Sequence, residues 1–365
     1  MSTLPSEPIE RIPDAASEAR LLEIRREAEA RGIVPGRGVR PAGAPFPVAS
    51  VETGYYGIHL LKEPQWTPEI PMYFFVGGAA GSAAVIGAVC DWFGKDPELA
   101  SHARWVAFGG AMVSSGLLIS DLGRPSRFIN MLRVFKVQSP MSMGAWTLAA
   151  FGATSAANLF AKAAERRFGG GFPIRIIGNV GQLFSALFGL PFHNYTGVLI
   201  GATAIPVWNK NIDTLPIHFG MSGVQAGTSV LELMGHSDSR ALNILGIGSA
   251  VYESLEGLNL ESRKDPALKP LKRGASGWVT RVGGVMSGPL PLVLRLIAGS
   301  SGSERSRMLR RWAAVSGIAG SLLTRYGWVR AGHASARDWR LPLEIPAKKT
   351  VRAEMESKPQ MRVAS

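Results

Sequence analysis

The chain has 365 residues, 46% apolar and only 18% charged, with a net charge of +13 and a single cysteine, Cys90. Soluble proteins carry about a quarter charged residues, so this balance argues against two ordinary soluble domains and for an all-α integral membrane protein. One cysteine excludes a disulfide framework within the chain, and equally iron–sulfur ligation by this chain alone, which usually takes about four. The basic residues are scattered through short loops, which suits membrane-flanking Lys and Arg and not a nucleic-acid-binding stripe.

Residues 1–68 read as a soluble polar tail. Within it, Asp14 to Arg31 has the pattern of a charged amphipathic helix stopped by Gly32 and Pro35, and the Gly/Pro-rich stretch 35–47 reads as a linker. No cleavable signal is legible, because the first apolar run begins near Ile70. Eight apolar segments follow, near 70–92, 104–121, 141–162, 175–207, 214–234, 240–257, 277–299 and 309–329. Each is roughly long enough to cross a ~30 Å hydrocarbon core as a helix. This predicts a multi-pass membrane domain over 69–330 and a polar tail over 331–365. Breaks are expected at Gly189-Leu190-Pro191 and at Gly288-Pro289-Leu290-Pro291, since proline removes a helical hydrogen bond.

An even number of spans puts both tails on one side, the tail face. Five motifs are expected there or on the adjoining spans. Trp66 to Tyr73 opens the first span, and Asp121-Leu122-Gly123-Arg124-Pro125 with Arg127 closes the second. Ser139-Pro140-Met141-Ser142 opens the third, Pro206 to Asn209 follows the fourth, and Leu215 to His218 opens the fifth. Glu69 and Tyr73 are four residues apart and share one helix face. Asp121 beside Arg124 or Arg127 has two readings, a headgroup site or a structural salt bridge. The tryptophans read as interface anchors in preference to ligands. His193, beside the Gly-Leu-Pro break, reads as a proton relay or as a packed core histidine. Glu232, Glu253 and Glu256 are explained at least as well by solvated helix ends as by proton transfer. A di-haem anchor is disfavoured, because His193 and His218 are expected at different depths. Lys and Arg are nearly balanced between the short loops of the two faces, so charge does not orient the chain.

Taken together, these motifs resemble the membrane subunit of the polysulfide reductase (NrfD/PsrC) family, from about Tyr55 to Gly332. The specific elements are Asp121 to Pro125 with Arg127-Phe128, then Ser139 to Ser142, then Tyr195-Thr196-Gly197 with Pro206 and Trp208. The resemblance implies eight transmembrane helices arranged as two four-helix bundles, without haem or metal in this chain. It implies a subunit of the cell inner membrane that exchanges electrons between a quinone (menaquinone or ubiquinone) and a ferredoxin-like partner carrying [4Fe–4S] clusters. That partner would in turn serve a molybdopterin oxidoreductase catalytic subunit. The quinone-site positions fall on Glu69, Tyr73 (or Met72) and Tyr195, with His193 nearby. Glu69 would carry protons, and Asp121 and Arg124 would hold the helix ends beside the site. Where relatives have histidine and asparagine in the first helix, this chain has glutamate, methionine and tyrosine. The competing readings are a secondary transporter, for which no internal repeat is visible, and a passive anchor for a soluble enzyme.

Overall fold

The structure, a computed structural model, describes residues 15–30, 60–94, 96–122, 124, 126–299 and 303–344, and every regular element among them is helical. Contacts divide the chain into residues 1–62 with 336–365, and residues 63–335. In the first unit, α1 (Ala15–Ala30) forms where a charged helix is expected, and Leu22 and Ile24 on it are exposed. The expected linker at 35–47 lies outside the described residues.

The second unit is built from long helices whose ends follow local capping rules. α2 runs Glu69–Phe93 and α3 runs Pro97–Asp121, the latter capped by Asp96, whose Oδ1 accepts from the Leu99 amide at 2.9 Å. α4 (Pro140–Phe168) starts at Ser139 with proline in its first turn and ends at Gly169 with φ of 72°. α5 spans Phe172–Gly201 and runs through Pro191 without ending there. α6 (Leu215–Leu231) continues into a π turn, Glu232–His236, which closes at Gly235 with φ of 116°. α7 (Arg240–Ser262) is capped by Ser239. α8 (Gly274–Ser287) and α9 (Pro289–Ala298) meet at Gly288, where the Gly-Pro-Leu-Pro sequence predicted a break. α10 spans Glu304–Arg337.

Four of these stretches are long and apolar enough to cross a membrane: α2, α3, α5 and the α8–α9 pair, Gly274–Ala298. The segments predicted at 141–162, 214–234, 240–257 and 309–329 also fold as helices, but are not among the four. α4 and α6 are rich in Ala, Gly, Ser and Thr, and α7 and α10 carry charged residues, which lowers their apolarity.

α2 is the central helix, with 72% of its most apolar window buried against 28–39% for the other three stretches. It packs on α3, α5 and α6. Its sequence Gly77-Gly78-Ala79-Ala80-Gly81 permits this, because small residues let helix backbones approach closely. A Cβ at Gly81 would stand 2.6 Å from the Gly189 carbonyl oxygen on α5, and one at Gly223 on α6 would stand 3.0 Å from the Gly78 carbonyl oxygen.

Gly81→Val is therefore expected to lower stability by about 1–3 kcal/mol or more through backbone displacement. Gly109→Ala on α3, where a Cβ meets nothing within 4 Å, should leave stability unchanged or raised. Thermal unfolding of the two variants in detergent checks the contrast.

Candidate functional site

The approach to α2 is pinned by side chains from elsewhere in the chain. The Thr67 amide and hydroxyl both donate to Asp121 Oδ1 at the end of α3, at 3.1 and 2.5 Å. The Tyr326 hydroxyl on α10 donates to the Pro68 carbonyl at 2.9 Å, and His333 Nδ1 lies 2.9 Å from Glu63 Oε1. Trp66 stacks on Trp208, with ring centroids 5.1 Å apart and 18° between planes. Trp208 is fully buried and donates from Nε1 to the Trp328 carbonyl at 2.8 Å. Its ring lies on Gly332, where a Cβ would stand 1.9 Å away. Trp208 is thus a buried strut, not the interface anchor the sequence predicted, because an indole with its N–H satisfied by backbone can be enclosed completely.

Around this frame the site residues predicted from sequence separate into groups. Glu69 sits in the first turn of α2, partly exposed, and its Oε2 is enclosed with no hydrogen-bond partner among the described residues. One turn on, Tyr73 is 3% exposed, with its ring against Phe74 and Phe192. Tyr195, one turn after Phe192 on α5, donates its hydroxyl to the Pro140 carbonyl at the start of α4. Its ring covers Gly144, where a Cβ would stand 2.2 Å from it. Glu69, Tyr73 and Tyr195 therefore come from the mouth of α2 and the neighbouring face of α5.

Asp121 serves Thr67, and among the described residues no ion pair joins it to Arg124 or Arg127; both are exposed, Arg127 at the start of a short helical turn, Arg127–Met131. His193 bonds the Leu190 carbonyl through Nδ1 and packs between Gly81 and Gly220. Two residues from Tyr195, it leaves α5 roughly 200° away and faces a different neighbour. Among the described residues no three His, Cys, Asp or Glu side chains are grouped to hold a metal ion.

A second set of buried charged residues centres on two arginines that the sequence motifs do not include, Arg295 and Arg325. Arg295 and Glu232 are both fully buried and form a forked pair, Nη1 to Oε1 at 2.6 Å and Nη2 to Oε2 at 2.8 Å. The guanidinium lies on Gly246, where a Cβ would stand 2.3 Å from it. Arg325, also fully buried, donates through Nη1 to the hydroxyls of Ser222 and Ser321, at 2.6 and 2.7 Å, and through Nη2 to the Phe219 carbonyl. Glu253, 2% exposed, accepts from the Ser287 hydroxyl at 3.1 Å, while its Oε1 stands 3.4 Å from His218 Nδ1. Of the two readings left open for Glu232 and Glu253, solvated helix ends or proton transfer, the first fails: both face inward between packed helices. The available signal was a lone arginine in each apolar run, Arg295 within Pro289–Ala298 and Arg325 following Ser321-Leu322-Leu323.

Residues 62–240 match the family model described as polysulphide reductase, NrfD. Over these residues the chain is an NrfD-family protein. No curated protein matches it. NrfD membership implies a membrane subunit of a quinone-linked oxidoreductase complex. The matched stretch takes in the mouth of α2, Asp121, Tyr195, His218 and Glu232, whereas Glu253, Arg295 and Arg325 lie beyond its end.

Removing one partner of a buried ion pair strands the other charge. Arg295→Met should thus cost about 3–5 kcal/mol, and adding Glu232→Leu should recover most of that loss. Melting temperatures of the single and double variants decide this.

Proposed function

We propose that this chain is the quinone-interacting subunit of a multi-subunit oxidoreductase, passing electrons between the quinone pool and an iron–sulfur partner. In this reading the partner is ferredoxin-like, carries [4Fe–4S] clusters and serves a molybdopterin catalytic subunit, in a complex of the formate dehydrogenase or polysulfide reductase kind. The chain crosses the inner membrane eight times as two four-helix bundles, between polar tails at 1–68 and 331–365. Support for eight crossings comes from the inward turn of the charges that lower apolarity: Glu253 on α7 and Arg310 and Arg325 on α10 are 2%, 4% and 0% exposed.

The observation that carries the functional reading is the mouth of α2. There a carboxylate oxygen, Glu69 Oε2, is enclosed and unpartnered among the described residues, one turn from the buried Tyr73. An enclosed polar atom without a partner is costly, and a bound group that supplies the hydrogen bond removes that cost. The reduced, quinol form of menaquinone or ubiquinone fits this site, since its ring hydroxyl donates to the Glu69 carboxylate, and its ring suits the aromatic surround of Phe74 and Phe192. Bound there, the quinone would supply two-electron redox chemistry. The protein's part is to orient the ring and to hold a proton. Tyr73 and Tyr195 position the headgroup, Glu69 holds the proton that accompanies electron transfer, and Asp121 fixes the mouth through Thr67. His193 backs the site from α5, and Arg124 stands exposed beside it for a partner surface.

Glu69→Gln and Tyr195→Phe are each expected to reduce quinone-dependent turnover by about tenfold or more, in keeping with lost proton transfer or positioning. Both should leave the complex assembled on size exclusion. Normal turnover in both variants would refute the assignment of the site.

A further inference from the structure

A cavity of about 420 Å³ lies between α6, α7, α8, the start of α9 and α10, with Trp328 in its wall. That volume falls within the range of ordinary ligand pockets, roughly 300–1,000 Å³. The surface it offers is mostly apolar: Leu258 and Val285 in its lining are 70% and 54% exposed, and the ion-paired Glu261 and Arg281 are about half exposed. Its inner end is polar. His218 and Glu253 line it at 6% and 2% exposure. Neither ring nitrogen of His218, nor Glu253 Oε1, has a hydrogen-bond partner among the described residues, and the 3.4 Å between them lacks hydrogen-bond geometry.

We propose that this cavity is a second binding site for a quinol-class ligand, a dihydroxy aromatic ring with an apolar tail, seated with a ring hydroxyl on His218 and Glu253 and its tail leaving past Leu258 and Val285. Five features select that occupant. An imidazole offers one donor and one acceptor, and a carboxylate offers acceptors, so the ligand's polar end must both donate and accept. Unpartnered groups this deeply buried favour a ligand that satisfies them. The apolar mouth admits a lipid-soluble molecule and disfavours a water-soluble metabolite. A phospholipid headgroup is disfavoured, because the cavity carries Glu253, Glu256 and Glu261, and its one arginine, Arg281, is held by Glu261 through Nε at 2.7 Å and Nη2 at 3.3 Å. Trp328, whose ring centroid lies 5.9 Å from that of His218, supplies an aromatic wall for the ligand ring. This proposal rests on the quinone-linked reading of the chain, but it concerns a different set of residues from the mouth of α2.

The test is photolabelling of the protein in native membranes with a short-chain azido-ubiquinol kept reduced, followed by mapping of labelled peptides. The expected result is label on 253–261 of α7 and on 280–289, the end of α8 and the start of α9, displaced by excess unlabelled quinol. Val285→Trp, which fills the mouth from an exposed position and removes no polar group, should lose that label while keeping label near α2. Label confined to peptides around Glu69 and Tyr195 would overturn the second site and leave the proposed function standing. Label confined to the α7–α8 peptides would overturn the Glu69 assignment and support the second site. Label on neither set would overturn both. Label on α7 and α8 that persists in Val285→Trp, or in the presence of excess quinol, is surface attachment and would also overturn the proposal.

Discussion

The arrangement depends on how closely α2 approaches its neighbours. Gly81 and Gly189 contact backbone to backbone, as do Gly78 and Gly223, and Gly110 on α3 meets Ala80. Such approaches leave no room for side chains, so specificity at these crossings comes from which residues lack a Cβ. In lipid, where apolar side chains gain little from leaving their surroundings, van der Waals contact of this kind drives helix association. Because α2 is held by α3, α5 and α6 at these points, its first turn is fixed in space. Glu69 and Tyr73 thereby inherit their positions from glycines further along the same helix.

The same crossings shape the buried charges. Gly78 faces the Arg325 guanidinium, a Cβ there standing 2.8 Å from Nη2, and Gly246 opens the space that Arg295 occupies. A buried guanidinium is tolerated only when its donors are satisfied. At their Nη groups Arg325 meets that condition with serine hydroxyls and a backbone carbonyl, and Arg295 with a carboxylate, while the Nε of each has no partner among the described residues. The two solutions differ in consequence. Arg295 and Glu232 neutralise each other, whereas the carboxylate nearest Arg325 in character, Glu253, spends one oxygen on Ser287 and leaves the other facing His218. The free oxygen of Glu253 and the unpartnered ring of His218 thus stand together at the inner end of the cavity of about 420 Å³.

Much of the helical layout was legible in the sequence, because long apolar runs and capping residues are local signals. The run predicted at 70–92 became Glu69–Phe93, and the break at Gly288 fell where two prolines follow a glycine. Boundaries failed where polar residues belong to a helix: α3 begins at Pro97, ahead of the apolar run, and α10 runs Glu304–Arg337, past both ends of the predicted 309–329. The site was legible only in part. The position of Glu69 and Tyr73 on one helix follows from spacing alone. That Asp121 would serve Thr67 instead of an arginine, and that Trp208 would be enclosed, depends on contacts between segments far apart in sequence, which no local pattern carries.

The charged residues of α6 to α10 show why hydropathy understates this chain. A charge on an apolar helix lowers its average whether it faces lipid or a partner side chain, yet the physical cost differs greatly between those two environments. Glu232 with Arg295, and Arg325 with its serines, turn toward neighbouring helices, while Trp278, Leu255, Leu258 and Leu296 on α7 to α9 stay exposed at 61–72%. The outward surface is thus apolar where the sequence average is not. Helices of this kind are identified by the direction in which their polar residues point, and that direction is set by the glycines and serines that receive them.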